Sequence, residues 1–168
     1  MPTLKRSFAP VTDAHTRVLI LGSLPGEVSL ARQRYYAHPR NQFWRLIGAV
    51  AGLELEPLAY EARLAALLGR GIGLWDTVAA ATRRGSLDGA IRSIERNPLP
   101  ALVDALPALR AVGFNGGTSA ALGLPQLAGR AGLALVPLPS SSAAYTLPFE
   151  EKLERWRVLE AFLGARSS

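Results

Sequence analysis

The sequence predicts an α/β fold: three layers, with a central four-stranded parallel sheet between helices. Three observations predict it. Short apolar, β-favouring runs recur at residues 17–21, 72–75, 111–114 and 133–138. Segments with helical spacing of apolar residues separate them, and such alternation marks a parallel sheet covered on both faces. Glycine-, asparagine- or serine-rich turns follow three of the runs, at residues 22–26, 115–117 and 139–142. In an open parallel sheet the ligand site lies beyond the carboxyl ends of the strands, where these turns converge.

The elements follow in order. Residues 1–16 read as a mixed polar lead-in. Val18-Leu19-Ile20-Leu21 is continuously apolar, as expected of a strand buried on both faces. Phe43, Leu46, Ile47 and Val50 recur at helical spacing, so a helix starts near Asn41. A second helix spans about 58–68 and is stopped by Gly69 and Gly71. Ser86 before residues 87–91 has the character of an N-cap. An amphipathic segment covers about 101–106, and a small-residue helix follows Gly117. The last helix, about 148–163, gathers Leu153, Trp156, Leu159 and Phe162 on one face. With no internal repeat or low-complexity linker, a single domain over residues 1–168 is expected.

Composition narrows the function classes. A hydrophobic fraction of 49% with 19% charged residues excludes a disordered chain. A formal charge of +6 favours an acidic partner, nucleic acid first. All the basic residues except Lys5 and Lys152 are arginines, which fork onto phosphates and stack on bases. The absence of cysteine excludes disulfides, a thiolate nucleophile and a Cys-ligated iron–sulfur cluster. His15 and His38 are the only histidines, and no cluster has metal-ligand spacing, so neither a metal nor another cofactor is expected. The N-terminus lacks a signal-peptide core. No window reaches the roughly 18 unbroken apolar residues of a membrane span. A cytoplasmic, nucleoid-associated monomer with no membrane partner is expected.

The motifs carry both structural and functional readings. Gly22-Ser23-Leu24-Pro25-Gly26 could be a plain strand-to-helix turn, or a cradle of N–H groups for an anion or a base carbonyl. It is neither a Walker A loop nor a GxGxxG loop. Tyr35 and Tyr36 could be core rings, or a platform on which a base stacks. Asn41 precedes an apolar helix, where capping is the default; the alternative is an amide that orients water or reads a base edge. His38 and Arg40 could be loop residues or contacts to phosphate. Asn115 could form a turn or read a base from a rigid strand end. Ser140, Ser141 and Ser142 could be a polar loop or a phosphate grip built from hydroxyls and main-chain N–H groups.

Taken together the chain resembles the uracil-DNA glycosylase superfamily, and within it the hypoxanthine-DNA glycosylase branch. The matching pieces are Gly22-Ser23-Leu24-Pro25-Gly26, the long stretch from Tyr35-Tyr36-Ala37-His38 through Pro39-Arg40-Asn41-Gln42-Phe43-Trp44, Leu74-Trp75-Asp76, Gly85-Ser86-Leu87-Asp88, Gly113-Phe114-Asn115-Gly116 and Leu138-Pro139-Ser140-Ser141-Ser142. The resemblance implies a four-stranded parallel sheet between helices. It also implies extrusion of a damaged base from DNA and hydrolysis of its N-glycosidic bond. In the mismatch-specific uracil/thymine branch the first turn carries a water-positioning Asn; here Leu24 occupies that place and cannot do the same. The hypoxanthine branch implicates instead the Asn of the Pro-Arg-Asn piece, Asn41 in this chain. It also implies Asn115 as a second polar pocket group and Tyr36 as the ring stacked on the base. The last loop departs from the family pattern at Ala143-Ala144-Tyr145.

The expected activity is that of a monofunctional DNA glycosylase acting on damaged DNA, with hypoxanthine as the flipped base. Main-chain donors over residues 23–26 would steady charge on the departing base, and Ser140–Ser142, His38 and Arg40 would hold DNA. Uracil remains an alternative target. A non-catalytic nucleic-acid-binding module and an enzyme of free nucleotides are alternatives of other classes.

Overall fold

The first apolar run becomes β2 (Val18–Gly22), every residue of which is buried. Alternate side chains of a strand face opposite ways, and here both faces are covered. Val18 and Ile20 pack with Phe43, Leu46, Ile47 and Val50 of α2 (Phe43–Ala51) and with Trp156 of α6 (Phe149–Trp156). Leu19 and Leu21 pack instead with Leu99 of α4 (Leu99–Asp104) and Leu127 of α5 (Gly117–Leu127). The structure, a computed structural model, describes residues 3–83, 86 and 91–164.

Three further strands complete the parallel sheet: β3 (Ile72–Asp76), β6 (Ala111–Asn115) and β7 (Ala134–Leu138). Their order is β3-β2-β6-β7, all parallel, so the expected three-layer α/β/α arrangement is the one observed. The sheet ends in register at the top: Gly22 stands opposite Asp76 and Asn115 opposite Leu138. Ser119 of α5 donates to the Leu21 carbonyl (2.6 Å), pinning that helix to the same end.

A second sheet was not expected from the sequence. β1 (Thr3–Arg6), β4 (Val78–Arg83) and β5 (Ile91–Arg96) form an antiparallel sheet in the order β1-β4-β5. Residues 1–16 are therefore more than a lead-in: β1 pairs with β4, and Val11 bridges Leu74 at the edge of the main sheet. Ile91 opens a strand and not the continuation of a capped helix; residues 87–90 lie outside the described residues. The two sheets share a seam. Thr77 N–H donates to the Gly22 carbonyl (2.8 Å) and Val78 N–H to the Ser23 carbonyl (3.0 Å), so the chain passes from one sheet to the other just after Asp76.

The remaining differences are at element ends. A short α1 (Glu27–Arg32) follows the first turn, and α3 (Tyr60–Gly69) begins two residues later than predicted. The C-terminal helix is α-helical only to Trp156 and continues as a 3₁₀ segment, Arg157–Phe162. No helix among the described residues is long and apolar enough to cross a membrane.

Tyr35 takes the core role. It is buried, meets Phe8 edge-on with centroids 5.0 Å apart, and donates its hydroxyl to the Ala9 carbonyl (3.0 Å). Burial, helped by the nearby Asp76 charge, pushes its phenol far above the usual tyrosine value. The folded protein thus holds a proton there that the unfolded chain releases near pH 10. Stability from this group is complete below that pH and is lost as pH rises beyond it. Urea titrations between pH 8 and 11 should show stability falling above pH 10, with a shallower fall for Tyr35→Phe; equal slopes would refute this.

Candidate active site

Beyond the carboxyl ends of β2, β3 and β6 lies a cavity of about 650 Å3. Every residue predicted for the site lines it: Ser23, Leu24, Pro25 and Gly26 from the first turn; Tyr36, His38, Arg40 and Asn41 from the segment before α2; Asn115 from the end of β6; and Ser140, Ser141 and Ser142 from the loop after β7. Stretches more than 100 residues apart in sequence meet here because the parallel sheet delivers successive strand ends to one side.

Tyr36 is held from three directions. Its φ of 53° is left-handed, a conformation that bulky residues rarely adopt. Such outliers persist where the surroundings over-determine them. Its ring stacks on Phe43 with centroids 3.8 Å apart and planes inclined by 16°. Its hydroxyl accepts from Asn115 Nδ2 (3.3 Å), and its carbonyl accepts from Trp44 Nε1 (3.1 Å). A base entering the cavity would meet a ring already backed by a second ring.

Asn41 is half-buried, and its Oδ1 accepts the Phe43 N–H (2.9 Å). The cap position itself belongs to Gln42, which makes no side-chain capping bond. Asn41 therefore closes the entry to α2 as an Asx turn one residue before the cap, and the helix begins one residue later than expected. Its Nδ2 has no protein partner among the described residues. Gln42 serves elsewhere: its N–H donates to the Ser141 carbonyl (2.9 Å), and its Oε1 accepts from Lys152 Nζ (2.9 Å).

Asn115 is buried and heavily engaged. Its Oδ1 accepts the Ser141 N–H (2.9 Å), and its Nδ2 donates to Ser141 Oγ (2.9 Å) as well as to Tyr36. It works as a clip between the stacking ring and the serine loop. Gly116 makes this approach possible: with φ of 97°, its place for a Cβ lies 3.2 Å from Ser140 Cβ. The loop also folds on its own hydroxyls. Ser140 Oγ accepts the Ser142 N–H (3.1 Å), and Ser142 Oγ accepts the Ala144 N–H (3.2 Å). His38 and Arg40 are exposed residues of the cavity lining, and His38 Nδ1 accepts the Arg40 main-chain N–H (3.1 Å).

Two functional candidates were missed. Lys152, on α6, is buried behind the serine loop; its Nζ donates to Gln42 and to the Ser142 carbonyl (3.1 Å) and lies 5.4 Å from the Tyr145 ring centroid. Loss of hydration lowers its pKa from the usual lysine value. Nothing local announces it, because its partners are 10 and 110 residues away. Asp76 is the second. It is the last residue of β3, buried, and lines the cavity. The rule that places sites at strand ends points to it, since Asp76 directly follows the predicted strand at residues 72–75. Just after the turn, the N–H of Glu27 at the start of α1 is taken by Ser86 Oγ (2.8 Å).

Comparison with known proteins agrees with this geometry. Residues 9–161 match the family model of the uracil DNA glycosylase superfamily. A hypoxanthine DNA glycosylase of Methanosarcina acetivorans is 40% identical over 156 residues, covering 93% of this chain and 98% of the relative. One from Methanosarcina barkeri is 47% identical over 112 residues, 67% of this chain and 71% of the relative. A solution NMR structure of a candidate uracil DNA glycosylase from Methanosarcina acetivorans, 39% identical, superposes with a TM-score of 0.86 over 96% of this chain and 99% of its own. With the family model spanning nearly the whole chain, and the same sheet carrying its cavity at the strand ends, the protein belongs to the uracil DNA glycosylase superfamily.

Proposed function

We propose that this protein is a monofunctional DNA glycosylase that removes hypoxanthine from DNA. The observation that carries the reading is the meeting of the Tyr36 ring, the Asn41 amide and the Ser140–Ser142 loop around one cavity. Its volume of about 650 Å3 has room for a flipped purine. The names of the Methanosarcina relatives support hypoxanthine as the base.

The proposed chemistry follows from these positions. The target nucleotide swings out of the stack, and its base lies on Tyr36, whose other support is Phe43. Stacking of this kind contributes about 1–3 kcal/mol per base. Asn41 orients the attacking water. The water oxygen bonds to C1′ of the sugar as the C1′–N9 bond breaks, and the bonding pair leaves with the base. The attacking water passes one proton to solvent, and the departing base takes one proton from solvent, so the products are the neutral base and a sugar bearing the new C1′ hydroxyl. Main-chain donors over residues 23–26 stabilise the charge that collects on the departing base. With the Ser141 and Ser142 N–H groups taken by Asn115 Oδ1 and Ser140 Oγ, the Ser140 and Ser142 hydroxyls donate to flanking phosphates, and Arg40 adds attraction that salt weakens.

Neither Lys5 nor Lys152 lines the cavity, which supports hydrolysis without a Schiff base to the sugar. The test is free-base release from single- and double-stranded oligonucleotides carrying hypoxanthine, uracil or xanthine. Hypoxanthine release is expected to be fastest, leaving an abasic strand that breaks only after alkali. No released base from any substrate would overturn the activity. Strand cleavage without alkali would overturn its monofunctional character.

A further inference from the structure

We propose that Lys152 is a positioning residue that ties the serine loop to the turn carrying Asn41, so that the grip on DNA and the aim of the water-orienting amide are set together. The proposal deepens the functional reading above and rests on it. Lys152 does not line the cavity, so whatever it contributes to the reaction passes through its neighbours. Helix α6 supplies the frame. Lys152 and Trp156 stand four residues apart on it and share one face, and both are fully buried. Trp156 Nε1 donates to the Pro139 carbonyl (2.9 Å), where the serine loop begins. Lys152 Nζ donates to the Ser142 carbonyl (3.1 Å), where it ends. One turn of helix thus spans the loop from behind.

The same Nζ donates to Gln42 Oε1 (2.9 Å), and Gln42 is the residue between Asn41 and Phe43. The main chain of Gln42 makes a second link, from its N–H to the Ser141 carbonyl (2.9 Å). The Asn41 turn and the serine loop are therefore joined at two points, one direct and one through Lys152. Two points fix an orientation; one alone leaves a pivot. Without the ammonium, Asn115 and Gln42 still hold Ser141, and the loop can turn about that residue. The rim of the cavity belongs to the same knot: Tyr145 N–H donates to the Ser142 carbonyl (3.1 Å), and its ring centroid lies 5.4 Å from Nζ.

The chemistry of the group fits the task. An ammonium offers three donors, and its bonds are stronger than those between neutral groups. Among the described residues no carboxylate pairs with Lys152. A cation held dry without a counter-charge weighs against stability, and the lowered pKa of Lys152 is the sign of that strain. An apolar chain of similar length, such as methionine, would fill the same space without that cost. Packing alone therefore does not account for a lysine here. What lysine adds is a pair of directed bonds, one to each of the two segments that the proposed reaction needs in fixed relation. Misplacement of a reacting group by an ångström is enough to slow a reaction by about 10²-fold.

The experiment has two readouts. The first is amide hydrogen exchange of the free protein, which needs no turnover. Lys152→Met should speed exchange at the Gln42 and Tyr145 amides by at least ~10-fold and leave Leu19 and Ile20 of β2 unchanged. Equal protection at Gln42 and Tyr145, or faster exchange that extends to β2, overturns the assignment; the latter is what a merely structural role would give. The second is a double-mutant cycle on single-turnover hypoxanthine release at saturating protein, well below the melting temperature. Lys152→Met and Gln42→Met should each slow release by at least ~10-fold, and the double variant should be within about 3-fold of the slower single one, because both remove the same link. Losses that multiply, or an undiminished rate in either folded variant, overturn the assignment. Should Lys152→Met melt below the assay temperature, Gln42→Met decides alone, and an undiminished rate overturns it. Wild-type release of free hypoxanthine is scored separately: its failure rejects the proposed function and leaves the exchange result standing, whereas normal release beside unchanged exchange rejects only the role of Lys152.

Discussion

Replacing Asn41 with alanine is expected to slow hypoxanthine release by ~10²–10⁴-fold, the range for losing a group that positions or activates the reacting water. Asn41 is the polar side chain on which the proposed chemistry turns. The same oxygen also accepts the Phe43 N–H, so the variant loses an Asx turn at the start of α2. A lost cap of this sort costs about 0.5–2 kcal/mol. That matters because α2 contributes Phe43, on which Tyr36 stacks. Single-turnover rates at saturating protein, measured well below the melting temperature, separate the two contributions. Asn41→Asp sharpens the separation: its carboxylate still accepts the Phe43 N–H, so the melting temperature should stay near wild type. The amide nitrogen is nevertheless gone. An Asn41→Ala protein with an undiminished rate would remove Asn41 from the mechanism.

Asn115→Ala should damage stability and activity together. The substitution leaves the buried Ser141 N–H without its acceptor and removes a donor to the Tyr36 hydroxyl. An orphaned buried donor costs about 1–3 kcal/mol. For a chain of this length each kcal/mol shifts the melting temperature by roughly 2–4 °C. The activity effect comes through position, since misplacing a reacting group by an ångström can cost about 10²-fold. Freed from the clip, the serine loop and the stacking ring no longer share one anchor. Both the rate at saturation and the affinity for DNA should therefore fall. Differential scanning calorimetry together with excision kinetics checks both halves. A variant that melts like wild type but excises normally would show that the clip is dispensable.

The parallel sheet was legible because its signals are local. Val18-Leu19-Ile20-Leu21 has to be buried on both faces, whatever its neighbours are, and such a run has few other destinations. The spacing of Phe43, Leu46, Ile47 and Val50 likewise specifies an inward face for α2. The second sheet lacked any such signal. β5 reads Ile91-Arg92-Ser93-Ile94-Glu95-Arg96, and Ile94 is exposed, so no face declares itself. The four residues of β1 are too few for a pattern, and they form a strand only because β4 is there to pair with them.

The site divides along the same line. Sequence by itself picked out the segments that line the cavity: Gly22 to Gly26, the run through Tyr36 and Asn41, Asn115, and Ser140 to Ser142, since backbone permissiveness, ring character and amide chemistry belong to the residues themselves. Tertiary structure alone decided how those groups are spent. It turned Tyr36 onto Phe43 through a left-handed backbone, committed Asn115 to Ser141, brought Lys152 behind the loop, and laid Asp76 across Gly22. The physical reason is that a hydrogen bond or a ring contact is a relation between two residues. When strand register and helix packing set the distance between them, no property of either one alone contains it.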